Sequence, residues 1–191
     1  MKVDAQGWLD AAMRRRSPNA DRRPEGCVPE LIVIHGISLP PGEFGGEWID
    51  ALFTNRLDPS AHPFFERIAH LRVSAHLLIR RDGALVQYVP FKERAWHAGA
   101  SYHGLRSNCN DFSIGIELEG TDVVPYTDAQ YGNLAQVIAA LLRSYPGLSR
   151  ERISGHCDIA PGRKTDPGPS FDWGRLHRNL ARIFYPVTNR A

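Results

Sequence analysis

Apolar positions along the chain follow two spacings, and each predicts a different element. Leu31-Ile32-Val33-Ile34 is an unbroken apolar run ending at His35, the composition of a strand buried on both faces. Ser74–Arg80 and Ala84–Val89 flank Arg81-Asp82-Gly83 and predict a hairpin. Ser113–Glu119 alternates, with Ile114, Ile116 and Leu118 on one face and Ser113, Gly115, Glu117 and Glu119 on the other. Helical spacing governs Leu134, Val137, Ile138, Leu141 and Leu142, behind a capping box of Thr127 and Gln130 and before the stop at Pro146-Gly147. A second helix starts after Asp172, with Trp173, Leu176, Leu180 and Ile183 facing inward. Trp48, Ile49, Leu52 and Phe53 predict a shorter one. Together these predict a mixed α/β fold, a central mixed β-sheet flanked by α-helices.

The Gly/Pro clusters at Ser38–Gly46 and Pro161–Pro169 predict loops too short to be linkers. A single domain over residues 1–191 is therefore expected, with its core at about 28–185. Lys plus Arg number 23 and Asp plus Glu 21, a net charge of +2 that makes no electrostatic case for nucleic acid. No apolar stretch approaches the ~20 residues of a membrane helix. Met1–Arg16 lacks a continuous apolar core and ends in three arginines, the wrong order for a secretory signal. Cys27, Cys109 and Cys157 are too few and odd in number for a disulfide framework. The expectation is a cytoplasmic protein without membrane or nucleic-acid partners, monomeric, with three free thiols.

Of the eight histidines, His62, His70, His103 and His177 have no chemical partner nearby in sequence and read as structural or solvated. His35 differs because it ends a buried strand, where such sheets place their sites. His156 likewise follows a short segment, Arg152-Ile153-Ser154-Gly155, and Asp166 comes ten residues later before a Pro-Gly-Pro turn. Two imidazoles and a carboxylate with a fourth position open are a catalytic zinc set. Spacing alone does not show that the three meet, and it more readily fits two buried histidines and an Asp capping a turn. If His156 and Cys157 are extended, their side chains point to opposite faces, which disfavours Cys157 as a further ligand. Glu117 is either a general base beside a site or an exposed strand carboxylate. Lys164 is either a cation for a developing oxyanion or a solvated loop lysine.

The stretches IVIHGISLPPGEFGG, HLRVSAHLLIRRDGALVQYVPF, AWHAG, CNDFSIGIELEG and GHCDIAPGRKTDPGP, taken in order, resemble the AmpD-type N-acetylmuramoyl-L-alanine amidases. These belong to the wider amidase and peptidoglycan-recognition superfamily. The resemblance covers nearly the whole chain and implies a mixed sheet packed with helices. It implies one zinc ion per chain on His35, His156 and Asp166, with Glu117 as catalytic carboxylate and Lys164 as transition-state cation. Trp96, His97 and His76 match positions near the site, with Trp96 and His97 as candidate substrate contacts. Arg72, Arg106 and Arg163 are candidates for holding substrate carboxylates, since Arg pairs bidentately with them. Gly36 departs from the pattern, because an Asn often follows the ligand histidine in relatives. The implied reaction is hydrolysis of the lactyl amide between 1,6-anhydro-N-acetylmuramic acid and L-alanine, on small soluble muropeptides in wall recycling. A muropeptide-binding module without catalysis is disfavoured because Asp166, Glu117 and Lys164 are all present. A structural zinc protein is disfavoured because closed structural sites carry four ligands and favour cysteine.

Overall fold

The unbroken apolar run and the alternating segment become neighbouring strands at the centre of one sheet. The computed structural model describes residues 1–186. Its first half contains β1 (Met13–Arg14), β2 (Ala20–Arg22), β3 (Leu31–Ile37), α1 (Trp48–Phe53), α2 (Pro63–Glu66), β4 (Leu77–Ile79), β5 (Leu85–Gln87) and β6 (Glu93–Ala95). Its second half contains β7 (Tyr102–His103), β8 (Arg106–Ser107), β9 (Ser113–Glu119), α3 (Asp128–Ser144), β10 (Ile153–Gly155), α4 (His156–Ile159) and α5 (Trp173–Phe184). The main sheet has the order β1-β5-β4-β9-β3-β10. Strands β4, β9, β3 and β10 run parallel, and β5 is antiparallel to β4, so the sheet is mixed as expected.

The alternation decides what each face meets. Ile32, Ile34, Ile114, Ile116 and Leu118 pack beneath α3 and α5 against Leu134, Val137, Ile138, Leu141, Leu176 and Leu180. Burying each such side chain contributes about 1.5–3 kcal/mol. On the opposite face, Leu78, Val86 and Tyr88 pack against Ile49, Leu52 and Phe53 of α1. Leu31 and Val33 meet Phe112 and Ile159 there. At the C-terminal end of that second face the strands carry His35 and Glu117 instead of apolar side chains.

Both long helices start where the sequence places them. Thr127 Oγ1 accepts from the Gln130 N–H, and Gln130 Oε1 accepts from the Thr127 N–H at 3.0 Å. Asp172 accepts from the Arg175 N–H at 2.7 Å. The predicted hairpin forms with shorter strands than Ser74–Arg80 and Ala84–Val89, because the Ser74 N–H donates to the Trp96 carbonyl instead of across the hairpin. His156 is not extended but opens α4: Asp158 Oδ2 accepts from the Gly155 N–H at 2.7 Å and turns the chain. The face argument against Cys157 therefore lapses, although its Sγ sits beside Asp158 rather than His156. All three cysteines are free. Among the described residues no helix is long and apolar enough to cross a membrane.

Gln130 couples α3 to the sheet, its buried amide donating to the carbonyls of Ile79 and Glu119. Gln130→Leu strands those carbonyls and opens the capping box, so chemical denaturation is expected to show a loss of about 2–4 kcal/mol. Unchanged stability would contradict the coupling.

Candidate active site

The pairing of β3 with β9 is in register, so His35 lies opposite Glu117 on the face away from α3. Gly155 of β10 pairs with Ile34, which carries the next residue, His156, to the side of His35. Asp166 arrives from the Pro/Gly loop, whose backbone is pinned when the Cys157 N–H donates to the Asp166 carbonyl. His35 Nδ1 lies 3.0 Å from His156 Nδ1 and 3.3 Å from Asp166 Oδ2. His156 Nδ1 is 3.1 Å from the same oxygen. The three donors thus form the triangle that the sequence could only suggest.

The chemistry of this triangle fits a metal ion. His156 Nε2 faces the Ala98 carbonyl at 3.3 Å and can only donate there, which leaves the Nδ1 lone pair of the neutral ring directed at a carboxylate oxygen. Lone pairs meeting at one point require a positive charge between them. Donor separations of 3.0–3.3 Å are close to the ~3.3 Å edge of a tetrahedron with zinc bonds of ~2.0–2.1 Å. Burial pushes His35 down to about 4, against the pull of the neighbouring Asp166, so it is neutral and able to bind a metal at neutral pH. Burial works to raise the Asp166 carboxyl, but the two imidazoles beside it, His156 and His35, outweigh burial and hold it well below the usual range.

Glu117 is buried, not an exposed strand carboxylate, with Oε1 3.9 Å from His35 Nδ1 and Oε2 lacking any partner. Burial first, and then the charge of Asp166, push its carboxyl well above the ordinary value, while Lys164 draws it down. A carboxylate with a raised pKa and an unoccupied oxygen is suited to taking a proton. Lys164 stands at the rim of the same groove, a cavity of about 630 Å³. Its other wall is apolar, built from Leu39, Leu52, Phe53, Phe64, Ile68 and Val73.

The remaining sequence candidates are scattered. His97 lines the groove but has both ring nitrogens engaged, Nδ1 with His35 and Nε2 with Ser113. Trp96, Arg72 and Arg106 are not among the lining residues. Arg106 pairs with Glu30 and lies over the Phe112 ring. Arg72 sits on the backbone carbonyls of residues 69–71, next to the lining residues Leu71 and Val73. Arg163 lines the groove, but its Nη2 donates to the carbonyls of Ala98 and Ala100 at 2.6 and 2.7 Å. His76 lies behind His97 and accepts from the Gly115 N–H; burial, with the charge of Arg23, pushes it down to about 3.

Tyr126 bears on the site without any sequence signal. A Cβ at Gly36 would overlap its hydroxyl, which donates to the Pro167 carbonyl at 2.9 Å. Gly36 thus makes room for a tyrosine ninety residues away, and an Asn there would displace the Tyr126 hydroxyl.

A sequence profile of the family N-acetylmuramoyl-L-alanine amidase matches residues 25–169. A 1,6-anhydro-N-acetylmuramyl-L-alanine amidase AmpD from Escherichia coli (strain K12) is 66% identical over 171 residues, 90% of this chain and 93% of that protein. A crystal structure of a selenomethionine derivative of AmpD superposes with a TM-score of 0.92 at 63% identity, covering 94% of this chain and 99% of that one. The Escherichia coli amidase AmiD, in complex with anhydro-N-acetylmuramic acid-L-Ala-D-γ-Glu-L-Lys, superposes with a TM-score of 0.57 at 27% identity, covering 99% of this chain and 72% of that one.

Metal analysis should find one bound divalent ion per chain and none in His156→Ala. Full occupancy in that variant would remove His156 from the ligand set.

Proposed function

The chain belongs to the N-acetylmuramoyl-L-alanine amidase family, and from that premise we propose that it hydrolyses the lactyl amide between 1,6-anhydro-N-acetylmuramic acid and L-alanine of soluble muropeptides. We take the whole chain as one catalytic domain, a cytoplasmic monomer with zinc held by His35, His156 and Asp166. The observation that carries this reading is the convergence of those three donors below Glu117, a buried carboxylate with a partnerless oxygen.

When bound, zinc supplies Lewis acidity at the scissile carbonyl and lowers the pKa of water to about 7. The chain's own residues do the rest. Glu117 Oε2 takes the proton of the attacking water and delivers it to the amine that leaves as the free N-terminus of L-alanine. Its burial favours this exchange, because the protonated form is neutral and costs little in an apolar setting. Lys164, in the groove lining, supplies the positive charge for the oxygen that gains negative charge in the tetrahedral transition state. The apolar wall opposite accepts the methyl-bearing lactyl and alanyl groups and keeps bulk water out. Arg72, beside that wall, is the candidate for a stem-peptide carboxylate. Arg163 Nη2 is engaged with the Ala98 and Ala100 carbonyls and Arg106 Nη1 with Glu30, which favours Arg72 over these two as the carboxylate anchor.

Glu117→Gln should keep zinc while kcat falls by about two to four orders of magnitude. Lys164→Ala should keep zinc and lose about two to three orders. Parent-level kcat in metal-replete Glu117→Gln would rule out the base, and losses confined to KM would make both residues substrate holders. Mass spectrometry of products should show release of stem peptide from anhydro-muramyl peptides and little from intact sacculi. Comparable turnover of sacculi would assign the chain to wall lysis instead.

A further inference from the structure

Strand ends alone do not orient an imidazole, whose ring can turn either nitrogen toward a metal. Both histidines of the triangle direct Nε2 away from it, into one short segment. His35 Nε2 lies 2.9 Å from His97 Nδ1, the two rings meeting edge to face at 87°. His156 Nε2 lies 3.3 Å from the carbonyl of the next residue, Ala98. That segment is itself immobilised. Asn110 Oδ1 accepts from the His97 N–H at 3.1 Å and the Ala98 N–H at 2.8 Å, and Arg163 ties down the Ala98 carbonyl. The His97 ring lies in a slot over β9 that exists because residue 115 is glycine; a Cβ there would overlap the ring. Beyond it, His97 Nε2 reaches Ser113 Oγ at 3.1 Å.

We propose that His97 is a positioning residue: it accepts the Nε2–H of His35 and, with the Ala98 carbonyl, presents both histidines to the metal through Nδ1. The inference rests on the metal reading of the triangle. A ligand nitrogen at His35 Nδ1 must be unprotonated, which puts the proton on Nε2 and makes His97 Nδ1 the acceptor. His97 then carries its own proton on Nε2 and donates it to Ser113. The direction of the whole chain follows from one metal bond. With both nitrogens engaged, His97 has no ring nitrogen left to hydrogen-bond a substrate.

The test begins with the zinc-loaded parent protein. Nitrogen-15 NMR should show His97 protonated on Nε2 and bare on Nδ1; protonation on Nδ1 would overturn the proposal without any variant having to fold. Zinc affinity by chelator competition supplies the second readout. His97→Phe keeps a ring in the slot but removes the acceptor, and should bind zinc about 10- to 100-fold more weakly. His97→Asn returns an acceptor near the Nδ1 position and should recover most of that loss. Parent-like affinity in His97→Phe, or an equal loss in both variants, would overturn it, the latter because packing alone would then explain the effect. A parent that binds no zinc at all would instead fail the metal reading, and the positioning role with it.

Discussion

The site depends on the parallel register between β3 and β9. Their seven paired positions set His35 against Glu117, Val33 against Gly115 and Leu31 against Ser113, all on one face. A slip of one residue would turn Glu117 into the helix-packed core and bring Ile116 into the groove, because side chains alternate faces. The register is held because the same slip would expose Ile114, Ile116 and Leu118, which are fully buried beneath α3 and α5. Core packing and catalytic geometry are therefore fixed by one pairing. The third strand, β10, extends it by delivering His156 at the position next to His35.

Charge is distributed around this frame so that each group has a reason for its state. Glu117 has an apolar setting and a neighbouring carboxylate, both of which favour its protonated form. Asp166 has two imidazoles and remains ionised. Two carboxyl groups in one cluster are thus pushed in opposite directions, as the proposed division between a metal ligand and a proton carrier requires. Elsewhere, buried acids serve structure. Asp50 meets Arg80 and Tyr88, and Glu119 accepts from the backbone of Gly45 and Arg81, which holds the loop and helix forming one side of the groove against the sheet.

Much of this was legible from periodicity. The alternation at 113–119 puts Glu117 on the face without aliphatic residues, and Thr127 with Gln130 marks the start of α3. What periodicity leaves out is the partner that covers each polar face. Glu117 reads as easily as an exposed carboxylate until the groove walls are seen. His97 reads as a substrate contact because the sequence cannot show that both its nitrogens are spent. Arg163 and Arg106 read as anion holders because the guanidinium fork suits carboxylates, yet it also satisfies backbone carbonyls and structural ion pairs. Gly36 is legible only beside Tyr126, and the turn at His156 only beside Asp158. Each of these depends on a contact that spacing along the chain does not encode, or on a local capping bond competing with extension.

In the proposed centre, two histidine nitrogens and one aspartate oxygen bind a metal while Glu117 stands outside the coordination shell. Anomalous diffraction at the zinc edge from zinc-loaded crystals tests it directly. One peak per chain is expected, about 2.0–2.2 Å from His35 Nδ1, His156 Nδ1 and an Asp166 oxygen, with Glu117 beyond bonding distance. A peak bonded to Glu117 or to the Cys157 sulfur, or one lying away from this triangle, would contradict it.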